Sequence, residues 1–526
     1  MKKILFALFM ITTVICFSQT NTNISNSTNW DTEPYIAVNP TNSNNIVAAW
    51  MRVSGITLVI GTNYSIDGGL TWTTPTTIPN LHPTFLMADV SLTFNNAGNV
   101  FMSYVNYSAA QDSGYVMVTK SLDGGATWGA RVKAFNGLAT PDKPIDRPWI
   151  VVDNSGGVFD GRLYVVTKSV ESGVMPHHVW MKYSADNGST WSSQILVDDS
   201  IPSNLITNTM GAPTVGADGS LYIGYLSYDP PSSPFARMIC LKSTDGGVSF
   251  IPHIIGYPVA GSAITDTLYQ GSIVLSANPT VAGNIVFTFT DQRNGDPDIL
   301  SVHSNDGGNT WTSVPVRLND DGLSNGVGQD MSWAGFSTTG KYGVAWRDRR
   351  NTGGTSSSPF EIFSTVSIDG GSTFKPNYKI SSAPSPFINI QKGNDFIGIS
   401  LNDNFVFYDW CDLRTGNTEI FFNKTSMTFF TAVSEGNMPG FVSSIFPNPT
   451  STNATLKFTV KEKQFLNISL FDLQGRLMKI IASQNFNIGD HTFQISTSDL
   501  PSGTYLVCMK NKNETVISSV RLTVGK

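Results

Sequence analysis

Ser65-Ile66-Asp67-Gly68-Gly69-Leu70-Thr71-Trp72 decides the fold, because the same octet returns five more times along the chain. The copies occupy 121–128, 184–191 (with Asn187 in the first glycine position), 243–250, 304–311 and 367–374. Their aspartates, Asp67, Asp123, Asp186, Asp245, Asp306 and Asp369, stand 56 to 63 residues apart, and each interval holds about four short strands. The octet has the chemistry of a tight hairpin. Asp caps backbone N–H groups, the glycines take positive φ, and the Thr and aromatic residue open the returning strand. Strand-sized units repeating at this period stack on one another to bury a common core, which predicts a ring of small sheets, a β-propeller.

Other repeats set the number of units. Phe289-Thr290-Asp291-Gln292-Arg293 recurs as Trp346-Arg347-Asp348-Arg349-Arg350 and as Trp410-Cys411-Asp412-Leu413-Arg414. Each is followed by a carboxylate and Ile, at Asp298, Glu361 and Glu419. In the first two units that carboxylate lies eight residues before the Asp of an octet; in the third, eight onward lands on Met427, so this unit is in phase with its octet eroded. Innermost strands are expected to start near Glu33, Asp89, Arg147, Pro213, Ser272, Asp330 and Asp395. That count favours seven blades, with the segment before Glu33 supplying the last unit's missing fourth strand; six blades is the alternative.

Composition agrees with an all-β chain. The 526 residues are 40% hydrophobic and only 14% charged, with 47 Gly and 27 Pro, which argues against disorder and for many turns. A net charge of −6 without a basic run makes nucleic acid an unsuitable partner. Lys2-Lys3 precede an apolar stretch at 4–17, too short for the ~20 residues of a spanning helix, and this predicts a secretory signal peptide over 1–18 and no transmembrane segment in the mature chain. Ile15 stands before Cys16 where lipid attachment needs a small residue. Cys240, Cys411 and Cys508 form neither a disulfide framework nor a metal spacing. The scattered histidines make no zinc motif. No cofactor is expected; the Asn294-Gly295-Asp296-Pro297-Asp298 loop offers oxygen ligands for Ca²⁺ but lacks a full ligand loop.

The expected organisation is a propeller over 19–430, a linker over 431–443 and a small immunoglobulin-like β-sandwich over 444–526. In that last segment Leu456, Phe458 and Val460 alternate inward. Its Phe446-Pro447-Asn448-Pro449-Thr450, its Leu470-Phe471-Asp472-Leu473-Gln474-Gly475-Arg476 and its Leu500-Pro501-Ser502-Gly503-Thr504-Tyr505 resemble the type A C-terminal sorting domain of the type IX secretion system of Bacteroidetes. The resemblance implies export across the outer membrane, to the cell surface or beyond, with the secretion machinery as a partner.

The octets resemble the Asp-box, or BNR repeat, of sialidases and other β-propellers. In that family the boxes lie at the blade periphery, so their aspartates are structural. The opposite face should gather Asp31, Glu33, Asp89, Asp146, Arg147, Asp330 and Asp395 with the aromatic-x-Asp-x-Arg motifs, a mixed-charge rim suited to a polar ligand such as a glycan. The sialidase resemblance implies six blades, three Arg clamping a sugar carboxylate, a Tyr nucleophile tuned by a Glu, and an Asp as acid/base. Candidates here are Arg147, Arg293, Arg350 and Arg414 for the clamp, Trp149 beside Arg147 for substrate contact, Asp89 or Asp146 as acid, and Glu33 with Tyr408 as the pair. The Phe/Tyr-Arg-Ile-Pro motif of the family is absent, its place taken by Glu33-Pro34-Tyr35-Ile36. The threefold Asp-x-Arg motif also suits a salt bridge within each blade. The expected protein is a monomer acting on extracellular glycans or glycoproteins, either as a sialidase-like glycoside hydrolase or as a non-catalytic glycan- or protein-binding propeller.

Overall fold

The computed structural model describes residues 21–110, 113–137, 144–169, 178–198, 213–227, 236–259, 273–354, 357–388, 396–427, 430, 436–437, 442–472, 477–511 and 516–525. The signal-peptide segment and the strand starts expected at Ser272 and Asp395 lie outside these residues. Seven four-stranded antiparallel sheets follow one another along the chain, so the ring has seven blades and the six-blade alternative is set aside. Their innermost strands are Trp30–Val38, Phe85–Phe94, Pro144–Val152, Thr214–Val215, Ile273–Ala277, Gln329–Phe336 and Ile397–Leu401. In blades one to six the four strands run outward in chain order. In blade seven the outermost strand is Thr22–Asn23, paired to Phe422 and Phe421, so the N-terminal segment closes the ring as expected.

Each box is built as its sequence requires. In the first, Ser65 Oγ donates to Asp67 Oδ1 (2.8 Å) and accepts from Gly69 N–H (2.8 Å), while Thr71 donates its N–H to Asp67 Oδ1 (2.9 Å) and its hydroxyl to Oδ2 (2.5 Å). The Thr190 and Thr310 hydroxyls do the same in their boxes and hold the carboxyls of Asp186 and Asp306 at about 2. These aspartates therefore serve their own turns.

The box glycines also dock the preceding blade. Asn45 of blade one donates to the Gly124 carbonyl of blade two (2.9 Å), Arg162 of blade three to Gly246 of blade four (2.8 Å), and Asn284 of blade five to Gly370 of blade six (3.1 Å). Gly124 has φ +69°, and a Cβ there would stand 2.7 Å from Asn45 Oδ1. Gly55, at φ +64°, has open space around it. Gly55→Ala should thus cost only the backbone strain, roughly 1 kcal/mol, whereas Gly124→Ala adds the clash and should cost about 2–4 kcal/mol. Urea midpoints of the two variants check this; equal losses would remove the docking role.

The cores lie between blades. Ile36, Ile46, Ala48 and Trp50 of blade one, for example, pack on Phe407, Cys411, Ile420 and Phe422 of blade seven with Ile24 of the closing segment. Along the axis Tyr35, Trp149, Trp333 and Phe396 plug the channel, with Trp149 5.4 Å from Trp333 and 5.0 Å from Phe396 between ring centres. Beside this plug Asp409 is 1% exposed, and no described cation pairs with it. Its carboxyl occupies the space that a side chain at Gly398 would need. Burial pushes its pKa well above the usual carboxylate value. The folded state thus holds this proton more tightly than the unfolded chain does. The associated stability is present below the unfolded value of 3.8 and declines as pH rises from there toward the folded value. Asp409→Asn should flatten that decline and melt higher than the parent at pH 7; an unchanged pH dependence of Tm would refute it.

The C-terminal segment is a sandwich of a five-stranded and a three-stranded sheet. Leu456, Phe458 and Val460 face its core, as their alternation required, against Leu466, Ile468, Leu470 and Leu522. A short strand within the expected linker, Gly436–Asn437, pairs with Ser519 and Ser518 and belongs to this sandwich.

Candidate functional site

Chain direction gives the propeller two unlike faces. The innermost strands end on the face that carries the boxes. There a cavity of about 340 Å³ is lined by the last residues of those strands, among them Val38, Phe94, Ser276 and Leu401, and among the described residues by no charged side chain. On the opposite face, between blades one, two and three, a cavity of about 250 Å³ is lined by Glu33, Asp89, Asp146 and Tyr107 with apolar walls from Met51, Leu58, Val105 and Ile145. The smaller cavity holds the ionisable groups.

A repeated backbone irregularity puts them there. The innermost strands of blades one, two, three and six each slip register against their neighbour, between Thr32 and Tyr35, Ala88 and Ser91, Asp146 and Trp149, and Asp330 and Trp333. At each slip one residue takes positive φ: Glu33 (51°), Asp89 (54°), Arg147 (52°) and Met331 (53°). Bulges re-aim side chains, and a non-glycine residue in this region costs about 1–3 kcal/mol that the surrounding fold must hold in place. Three of the four positions carry an ionisable group. Asp330, expected to match Glu33 and Asp89, is instead one residue earlier in the motif, since its pairing with Arg347 parallels that of Asp146 with Lys168.

The three carboxyls form a chain. Asp89 hydrogen-bonds to Glu33 on one side and to Asp146 on the other, and its Oδ2 accepts the Arg147 N–H (3.2 Å). An ionised carboxylate only accepts, so such contacts require a proton between the groups. Burial and the neighbouring Asp146 push Asp89 up to about 6. Burial acts on Asp146 in the same direction, but Lys168 and then Arg147 outweigh it and hold Asp146 below the usual range. Lys168 Nζ lies 2.5 Å from Asp146 Oδ2 and Arg147 Nε 4.0 Å from Oδ1. Tyr107 is raised to about 12, by burial first and then by Asp89, Glu33 and Asp146. It is therefore a neutral phenol at physiological pH. The arrangement is a proton-sharing acid beside an ionised carboxylate, the separation of roles that acid/base chemistry needs.

The structure thus brings Glu33, Asp89, Asp146 and Arg147 together and leaves the other candidates apart. Arg293, Arg350 and Arg414 do not converge as a clamp. Each is forked onto the Asp two residues before it, Asp291 (2.7 Å), Asp348 (2.8 Å) and Asp412 (2.5 Å). Arg350 and Arg414 stack over Phe363 (4.4 Å) and Phe421 (4.7 Å), and the indoles of Trp346 and Trp410 donate to the same aspartates (2.8 Å each). The motif is a staple made once in each of blades five, six and seven. Tyr408 is 1% exposed and donates to Ser364 Oγ (3.0 Å) inside the blade packing, so it does not pair with Glu33. Trp149, also 1% exposed, belongs to the axial plug, because the bulge at Arg147 turns the next ring inward. The guanidinium of Arg147 lies 4.6 Å over the ring of Phe396 in that plug. Asp31 is fully buried and forked by Arg52 (2.7 Å and 2.8 Å). In the loop considered for Ca²⁺, Asp298 is occupied by Arg317, Asn319 and Asn294, and Asp296 accepts from Gly326 N–H. Among the described residues no group of three or more His, Cys, Asp or Glu is placed to hold a metal ion.

Sequence reasoning missed Tyr107 and Lys168. Lys168 was accessible through the register of the third blade, where it faces Asp146 across the hairpin.

Residues 444–522 match the secretion system C-terminal sorting domain family, so the protein is a client of type IX secretion, delivered to the cell surface or the extracellular space. Among the described residues no helix is long and apolar enough to cross a membrane. No curated protein matches the chain. Similar solved structures include the phage phi92 endosialidase (12% identity, 96% of this chain and 79% of that one, TM-score 0.45). They also include the NanB sialidase of Streptococcus pneumoniae (13% identity, 78% and 70%, TM-score 0.40) and an α-L-arabinofuranosidase of Fusarium graminearum (11% identity, 78% and 98%, TM-score 0.43). The seven-bladed ring rests on its own strand order.

Proposed function

We propose that the exported propeller is glycan-directed and that the cavity between blades one, two and three is an acid/base site for glycoside hydrolysis. The reading is carried by one observation: Asp89 and Asp146 touch within a single cavity while their surroundings push their proton affinities in opposite directions. In this scheme Asp89 gives its proton to the departing glycosidic oxygen. Lys168 and Arg147 keep Asp146 ionised, and that charge stabilises the developing positive charge on the sugar ring while water adds to the ring carbon and gives up a proton that restores Asp89. Glu33 hydrogen-bonds to Asp89 from the other side and orients its carboxyl. Bulge geometry fixes Glu33 and Asp89, which limits their reorganisation during reaction.

A glycan-binding role without turnover is the second reading. It is favoured by the staples, since Arg293, Arg350 and Arg414 serve their own blades and form no clamp together. Hydrolysis of a fluorogenic glycoside panel by the mature chain separates the two. Turnover that falls as pH rises through about 6 supports the acid role of Asp89. Turnover that rises through that range would contradict it, and binding without turnover would leave the site as a lectin-like pocket.

A further inference from the structure

We infer that the cavity takes a single uncharged sugar ring and excludes sugars that carry a carboxylate. The inference rests on the proposal of a glycan site and narrows its substrate class. Three acidic side chains, Glu33, Asp89 and Asp146, face this cavity, and among the described residues no lysine or arginine lines it. Of the described cations, Lys168 is in contact with Asp146 Oδ2, and Arg147 is laid over the Phe396 ring. Arg293, Arg350 and Arg414 are each held by their own aspartates in other blades. A ligand carboxylate would meet three carboxyl groups of which only Asp89 holds its proton readily, with no described guanidinium facing it from the lining, and such repulsion is strong away from bulk water. An uncharged sugar meets the opposite situation. Its hydroxyls donate to carboxylate oxygens, and its C–H face lies against Met51, Leu58, Val105 and Ile145. The volume of about 250 Å³ is below the ~300 Å³ at which pockets for larger ligands begin, which fits one ring at the end of a glycan.

The test uses matched pairs that differ by one carboxylate: a fluorogenic β-glucoside against the β-glucuronide, and an α-galactoside against the α-galacturonide, with a sialoside beside them. Binding of the same sugars to the mature full-length chain is measured in parallel by calorimetry, so that a site without turnover is still read. We expect a preference for the uncharged partner of about 100-fold or more, reduced about tenfold in Glu33→Gln, which keeps the shape and removes one charge. Preference for the glucuronide, galacturonide or sialoside, lost in Asp89→Asn, would overturn the substrate class while keeping the glycan site. Neither binding nor turnover across a broad panel by folded protein would overturn the glycan site itself and this inference with it. A preference for uncharged sugars that Glu33→Gln leaves unchanged would place the selectivity outside this cavity and overturn the inference.

Discussion

A chain lacking residues 21–29 should fail to form a stable propeller. Those residues supply the outermost strand of blade seven and a run of polar ties to it and to blade one. Ile24 N–H donates to Ile420 O (2.8 Å), Ile420 N–H to Ser25 Oγ (2.9 Å), Asn63 to Ile24 O (2.6 Å), and Asn417 to the carbonyls of Ser27 and Asn29 (3.3 Å and 2.6 Å). Ile24 itself is 2% exposed within the core shared by blades seven and one. At about 1 kcal/mol per net hydrogen bond and about 2 kcal/mol for the isoleucine, the loss is on the order of 7 kcal/mol, comparable to the whole stability of a typical domain. Ile24→Asp, which spares the backbone, should cost about half as much. Thermal melts followed by near-ultraviolet circular dichroism check both; a deletion variant that melts with the parent would show that the ring closes in another way.

Asp89→Asn should abolish turnover while leaving the fold intact. The amide keeps the size of the carboxyl and can donate to Glu33 or Asp146, so the chain of contacts persists. What it removes is the transferable proton, and loss of a general acid costs about 10²–10⁴ in kcat. Any residual rate should lose the limb near pH 6 that the Asp89 carboxyl sets. Lys168→Met acts by a different route. Without the ammonium beside it, Asp146 loses the strongest of the charges holding it ionised, and the apparent pKa of the pair should shift with a smaller loss of rate. An Asp89→Asn protein with parental kcat and pH profile would transfer the acid role elsewhere.

The ring was legible because its signals are local. Each octet encodes its own hairpin through Ser, Asp, Gly and Thr within eight residues, so six copies give the period, and the phase of Glu419 reveals the seventh unit. The place of the closing strand followed from a count of strands. The acidic half of the site was legible for a related reason, since Glu33, Asp89 and Arg147 head equivalent strands. Their shared positive φ was hidden, because a bulge depends on the register with the next strand. The arginines misled in the opposite way. Arg293, Arg350 and Arg414 carried their partner two residues upstream, and the repetition itself signalled a staple. Tyr408 was expected and Tyr107 missed because which face of each strand meets a cavity is not fixed by alternation alone.

A crystal structure of the Asp89→Asn mature chain soaked with the best uncharged glycoside is the most direct test. The account predicts a sugar ring between blades one, two and three, with its glycosidic oxygen within hydrogen-bond reach of the amide introduced at position 89 and its hydroxyls on Glu33 and Asp146. A ring bound instead at the mouth of the channel on the box face, with the acidic cavity empty, would contradict it.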